Sequence, residues 1–195
     1  KPPNPSHPTI CLSQAGPNAK RTCPGLQYET AADGSFELEH GSGGPTGCNE
    51  AWVTALGDDG FLSAVLVLIY TLRKYSETDR DIVVLTSVAV SEQVRRQLVQ
   101  ECVRVVVVDP FENNELAREL VSKSPRYKSG YWVVKMFVWR FEEYTKMVYL
   151  DADIYVRHRT DALFCAPTDP VKKPIAVTPR SSQSAAAGFN AGMFA

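Results

Sequence analysis

Lys146-Met147-Val148-Tyr149-Leu150-Asp151-Ala152-Asp153 is the stretch on which the fold turns. Met147 to Leu150 are apolar on both alternating faces, the signature of a strand buried between two layers of helices. The run ends abruptly in two aspartates, so acidic side chains sit at the carboxyl end of that strand. In an extended segment Asp151 and Asp153 point the same way, about 7 Å apart at Cα. Two desolvated like charges raise each other's pKa unless a cation lies between them. Hard carboxylate oxygens suit Mg²⁺ or Mn²⁺, and either ion would bridge to a diphosphate. A turn carrying two solvated aspartates is the bland alternative.

Upstream, apolar strands and amphipathic helices alternate. Ala51 to Leu56 reads as a strand, Gly57-Asp58-Asp59-Gly60 as a turn, and Phe61 to Lys74 as a strongly apolar helix. Asp81 to Thr86 is a buried strand, Ser91 to Cys102 a helix with Val94, Leu98 and Cys102 on one face, and Val103 to Val108 another strand. Asn113 to Ser122 and Tyr131 to Tyr144 read as helices, and Ile175 to Thr178 and Phe189 to Ala195 as strands. Alternation of this kind predicts an α/β domain with a mostly parallel central sheet. Ligands of such sheets bind beyond the carboxyl ends of the strands, where strand order reverses. Three places qualify: after Leu56, after Val108 and after Leu150.

Lys135 is the only charge between Tyr131 and Trp139. On a helix it shares a face with Trp132 and Trp139, so it either snorkels to solvent or meets an anion. Asp58 or Asp59 can cap the first helix. The turn they occupy is neither a G-x-G-x-x-G nor a Walker loop, which removes the sequence basis for dinucleotide or P-loop chemistry. Asn190 is the one amide in Gly188-Phe189-Asn190-Ala191-Gly192-Met193-Phe194, where it serves a bulge or presents its side chain to a sugar hydroxyl.

The first fifty residues differ in kind, holding seven of the 13 prolines and seven of the 12 glycines without apolar periodicity. They read as a linker or stalk, with a globular domain over 51–195. Cys11, Cys23 and Cys48 lie there, either disulfide-bonded or free; the first reading favours the Golgi lumen over the cytoplasm. A net charge of -1 gives no cationic field for nucleic acid. The longest apolar run, Ala64 to Tyr70, is far below the roughly 20 residues that cross a bilayer. Lys1 in place of an initiator Met, and an end inside an apolar run, read as a domain truncated on its C-terminal side.

Together these motifs resemble the glycogenin-like branch of family-8 glycosyltransferases, retaining enzymes of GT-A fold with a Rossmann-like sheet. The resemblance covers residues 51 to 195 and is carried by Ala51-Trp52-Val53-Thr54 with Asp58-Asp59, Val108-Asp109, the Lys135 to Trp139 helix, Tyr149 to Asp153, Asp161-Ala162-Leu163-Phe164, and Phe189 to Gly192. It implies that Asp151 and Asp153 are the metal-binding D-x-D, with Asp151 and Ala152 also beside the nucleotide. It implies that Lys135 contacts the donor near its diphosphate, and that Ala55, Gly57, Asp58 and Phe61 frame uracil and ribose. Asn190 and Ala191 match the pair beside the donor hexose. The family commonly has Asn, Tyr and Ser where Asp58, Phe61 and Ala191 stand.

The implied activity is Mn²⁺- or Mg²⁺-dependent transfer of a hexose from a UDP-sugar to a glycan or protein hydroxyl, with Lys135 and Asp153 in catalytic roles. The family's third metal ligand, a histidine, would fall after Ala195; His158 is too close to the D-x-D to replace it. A homodimer is left open. Two rivals remain: a non-catalytic nucleotide-sugar binder, and a haloacid-dehalogenase-type phosphatase, which also places Asp-x-Asp after an apolar strand.

Overall fold

The computed structural model describes residues 29–30, 50–76, 80–109, 115–123, 131–166, 176–179 and 189–195. Strands β1 (Glu29–Thr30), β2 (Glu50–Leu56), β3 (Asp81–Ser87), β4 (Arg104–Val108), β5 (Lys146–Leu150), β6 (Val177–Pro179) and β7 (Phe189–Phe194) form one sheet in the order β1-β4-β3-β2-β5-β7-β6. The first five in that order are parallel, and β7 runs antiparallel to β5 and β6. The mostly parallel α/β architecture expected from the alternation is therefore present. Chain order runs outward from β2 through β3 to β4, then returns to the other side of β2 as β5, pairing Val53 with Tyr149. That reversal puts the carboxyl ends of β2 and β5 side by side. The end of β4 lies beyond β3, so the position after Val108 is not at the reversal.

Helices α1 (Leu62–Tyr75), α2 (Glu92–Gln100), α3 (Glu115–Lys123) and α4 (Tyr131–Val134) complete the described elements, together with short 3₁₀ turns. β2, β3 and β4 are buried on both faces, which is why their sequences read as continuous apolar runs. Trp52, Val84, Val105 and Val148 pack on one side with Leu68 and Leu72 of α1 and Leu98 of α2. Val53, Val83, Val106 and Tyr149 pack on the other with Val134, Val138 and Phe141.

Two expectations change. The single helix expected over Tyr131 to Tyr144 is one α-turn followed by a 3₁₀ segment, Lys135–Arg140. The row of β-branched and aromatic side chains there disfavours regular α-helix, and the tighter winding shifts which side chains face the sheet. Cys102 does not continue the Val94 and Leu98 face; α2 ends before it, and Cys102 takes the left-handed conformation (φ 54°) that commonly follows a helix. Within the first fifty residues, Glu29–Thr30 forms β1, the edge strand of the sheet, and pairs with β4. Cys102 is disulfide-bonded, with a partner outside the described residues, whereas Cys165 is a free thiol. Cys11, Cys23 and Cys48 lie outside the described residues, and no described helix is long and apolar enough to cross a membrane.

At the amino ends of the strands, polar networks seal the sheet. Arg80 bridges Glu50 and Asp161, each at 2.6 Å, with its guanidinium over the Phe164 ring. Arg104 donates to Glu143 and to the hydroxyl of Tyr144, which donates to Asp81 at 2.8 Å. Burial, reinforced by the Asp81 charge, raises the Tyr144 pKa well above the usual phenol value. A raised folded-state pKa stabilises the fold below the unfolded value, and that contribution disappears as pH climbs past it. Tyr144→Phe is accordingly expected to lose about 1–2 kcal/mol at neutral pH by removing a buried hydroxyl pair. The gap to the parent should narrow above roughly pH 10, where free tyrosine ionises; denaturant unfolding at pH 7 and pH 10.5 measures both.

Candidate functional site

β2 ends at Leu56 with its last residues fully buried, Ala55 among them, and Gly57 follows as the first turn residue. The Gly57 carbonyl accepts from the buried Ser87 hydroxyl at 2.5 Å, and the same hydroxyl accepts from the Ala89 amide. Asp58 caps the 3₁₀ turn that leads into α1, accepting from the Gly60 amide at 2.8 Å. A side chain at Gly60 would press on that carboxylate, since its Cβ would stand 3.0 Å from Asp58 Oδ1. Asp59 does not cap; it accepts from the Ser91 amide, which holds its carboxyl below the usual range. The loop is thus braced against the end of β3, leaving Phe61 46% exposed on the rim.

β5 delivers Asp151 beside this loop. The chain then turns at once, with the Ile154 amide donating to the Asp151 carbonyl at 3.1 Å. The extended i, i+2 geometry expected for the aspartate pair is therefore replaced by a tight turn, because Ala152 and Val156 are drawn into the apolar layer against α1. The Val156 amide donates to the buried Thr71 hydroxyl, which anchors the turn from below. Asp153 is exposed at its tip and Asp151 is partly buried at its start.

Lys135 does not snorkel to solvent; the anion it meets is the Asp151 carboxylate. Its side chain is 14% exposed and its Nζ lies 2.8 Å from Asp151 Oδ1, over the ring of Tyr149. The Tyr149 hydroxyl donates to the same oxygen at 3.0 Å. Asp151 Oδ2 has no protein partner among the described residues. Trp139 is half-exposed and stacks on Phe194, not on Lys135; the side chain of Trp132 lies outside the described residues. β7 joins the site through its backbone, the Asp151 amide donating to the Gly192 carbonyl at 2.8 Å. Asn190 pairs with Thr178 in the ladder, and the side chains of Asn190 and Ala191 lie outside the described residues.

The donor set fits a hard divalent cation: one carboxylate is oriented with an oxygen open, and a second is exposed two residues on. Among the described residues no cluster of three or more His, Cys, Asp or Glu completes a cage. Such an ion would take its remaining ligands from phosphate and water.

The sequence profile of glycosyl transferase family 8 matches residues 53–195. The chain belongs to glycosyl transferase family 8. Glycogenin-1 of Caenorhabditis elegans is 37% identical over 119 residues, which are 61% of this chain and 27% of that protein. Galactinol synthase 2 of Arabidopsis thaliana is 34% identical over 125 residues, 62% of this chain and 35% of that protein. Galactosyltransferase LgtC, crystallised with donor and acceptor sugar analogs, superposes with a TM-score of 0.49 at 18% identity, covering 74% of this chain and 56% of that one. The match thus spans between a quarter and about a third of the length of these two curated relatives.

Within the family-8 domain, Tyr149 is the residue that the sequence reading passed over. Strand alternation carried the signal, because Tyr149 lies two positions before Asp151 and therefore on its face. If Lys135 and Asp151 form one unit, the double-mutant cycle of Lys135→Met and Asp151→Asn is expected to show about 1 kcal/mol of coupling in unfolding free energy, as contacting residues do. Additive effects would mean that the pair does not hold in solution.

Proposed function

We propose that the protein transfers a hexose from a UDP-sugar, such as UDP-glucose, to a hydroxyl of a glycan or protein, with retention at the anomeric carbon. The observation that carries this reading is an oriented carboxylate at the strand reversal, paired with a lysine and lying in a family-8 domain. Asp151 and Asp153 would hold Mn²⁺ or Mg²⁺, which supplies positive charge for the diphosphate leaving group. Lys135 sits where a second positive charge can meet that diphosphate as its bond to the sugar breaks. Neutralisation by Asp151 keeps the ammonium in place before the donor arrives. Ala55 at the buried end of β2, with Gly57, Asp58 and Phe61 in the turn after it, would frame uracil and ribose. Asn190 and Ala191, on β7, would flank the donor hexose, as the family resemblance implies.

The family assignment leaves the dehalogenase-type phosphatase without support. A disulfide at Cys102 supports an oxidising lumen as the compartment.

Asp153→Asn removes a charged ligand while preserving size, and Asp153 is too exposed for the change to disturb packing. The variant is expected to keep the parent's melting temperature within a few degrees and to lose at least about 100-fold in hexose transfer, on the scale of a lost electrostatic catalytic group. Equal turnover of UDP-glucose by variant and parent at saturating Mn²⁺ would refute the role.

A further inference from the structure

The aromatic side chain under the aspartate is held more firmly than core packing requires. Tyr149 is fully buried in β5, and its ring stacks on Phe194 of β7 with centroids 4.8 Å apart and planes within 12°. Phe194 stacks in turn on Trp139 at 5.7 Å and 15°, so three nearly parallel rings fill the space between the 3₁₀ segment and the sheet. With its ring stacked on Phe194, Tyr149 donates its hydroxyl to Asp151 Oδ1 at 3.0 Å. Lys135 donates to that same oxygen. Two donors on a single oxygen fix the carboxylate's rotation, and rotation decides which lone pairs face outward.

We infer that Tyr149 is a positioning residue: its hydroxyl locks Asp151 so that Oδ2 is presented to a divalent cation. This rests on the reading of Asp151 as a metal ligand. Lys135 cannot do the work alone, because an ammonium on a flexible stem follows the carboxylate as it rotates, whereas a stacked phenol does not. Hydrogen-bonded partners behind a metal ligand commonly contribute tenfold or more to metal affinity, and their effect appears in binding before it appears in chemistry.

Tyr149→Phe keeps the ring and its stack and removes only the hydroxyl. In the full-length protein with saturating UDP, Mn²⁺ titration followed by electron paramagnetic resonance is expected to show about a tenfold weaker Mn²⁺ affinity. UDP affinity without metal should be unchanged, and activity should recover to within about twofold once Mn²⁺ is saturating, since only orientation is lost. A purely structural tyrosine would lower the melting temperature and leave Mn²⁺ affinity at the parent value, and that result overturns the inference. Asp151→Asn separates the two layers. If it binds Mn²⁺ like the parent, the metal reading fails and the role of Tyr149 falls with it; if it loses Mn²⁺ while Tyr149→Phe does not, only the positioning role is wrong. Phe194→Leu retains the hydroxyl and frees the ring. It should weaken Mn²⁺ in the same direction, so unchanged affinity there also counts against the inference, even if Tyr149→Phe fails to fold.

Discussion

The pairing of β5 against β2 is the constraint from which the site follows. Had β5 continued outward beyond β4, Asp151 would have emerged at the edge of the sheet, far from the loop after Leu56. Instead the register sets Val53 beside Tyr149, and the two strands end side by side where the strand order reverses among the described residues. In open α/β sheets such a reversal is where binding crevices form, before any side chain is chosen. Buried faces on both sides of β2 enforce the register, since a slip of one residue would exchange the layer holding Trp52 for the layer holding Val53.

Charge is then arranged on that frame with little freedom. A partly buried carboxylate needs a partner, and a lysine surrounded by valines and aromatics needs one as well. Lys135 and Asp151 satisfy each other, while the Tyr149 hydroxyl takes part in the same contact. Asp153 contrasts with them: exposed at the tip of the turn, it carries a charge that water already solvates, so it is available to a ligand without rearranging the core. The amino ends of the strands hold a different chemistry, where Arg80 and Arg104 are each fully engaged with carboxylates and rings. Those networks tie the amino ends of the strands together.

Much of this was legible in the residues because burial on both faces writes itself as uninterrupted apolar sequence. β2, β3, β4 and β5 were readable for that reason. Two things were not. Local periodicity cannot distinguish α from 3₁₀ winding where β-branched and aromatic residues are dense, so the span after Val134 was drawn as one long helix. Nor does a D-x-D pattern disclose that its middle residue will be pulled into the core. The burial of Ala152 beside α1 goes with the anchoring of the Val156 amide on Thr71, which is remote in sequence, and the chain turns there where an extended pair was expected. The partner of Lys135 was hidden for a similar reason, since the contact spans sixteen residues and two elements.

Anomalous diffraction at the manganese edge, from crystals of the full-length protein grown with Mn²⁺ and UDP, tests the central claim most directly. The account predicts one strong peak within about 2.5 Å of Asp151 Oδ2 and of Asp153, with the diphosphate completing the coordination and Lys135 beside it. A manganese peak elsewhere, or UDP bound at the reversal with no metal against Asp151, would contradict it.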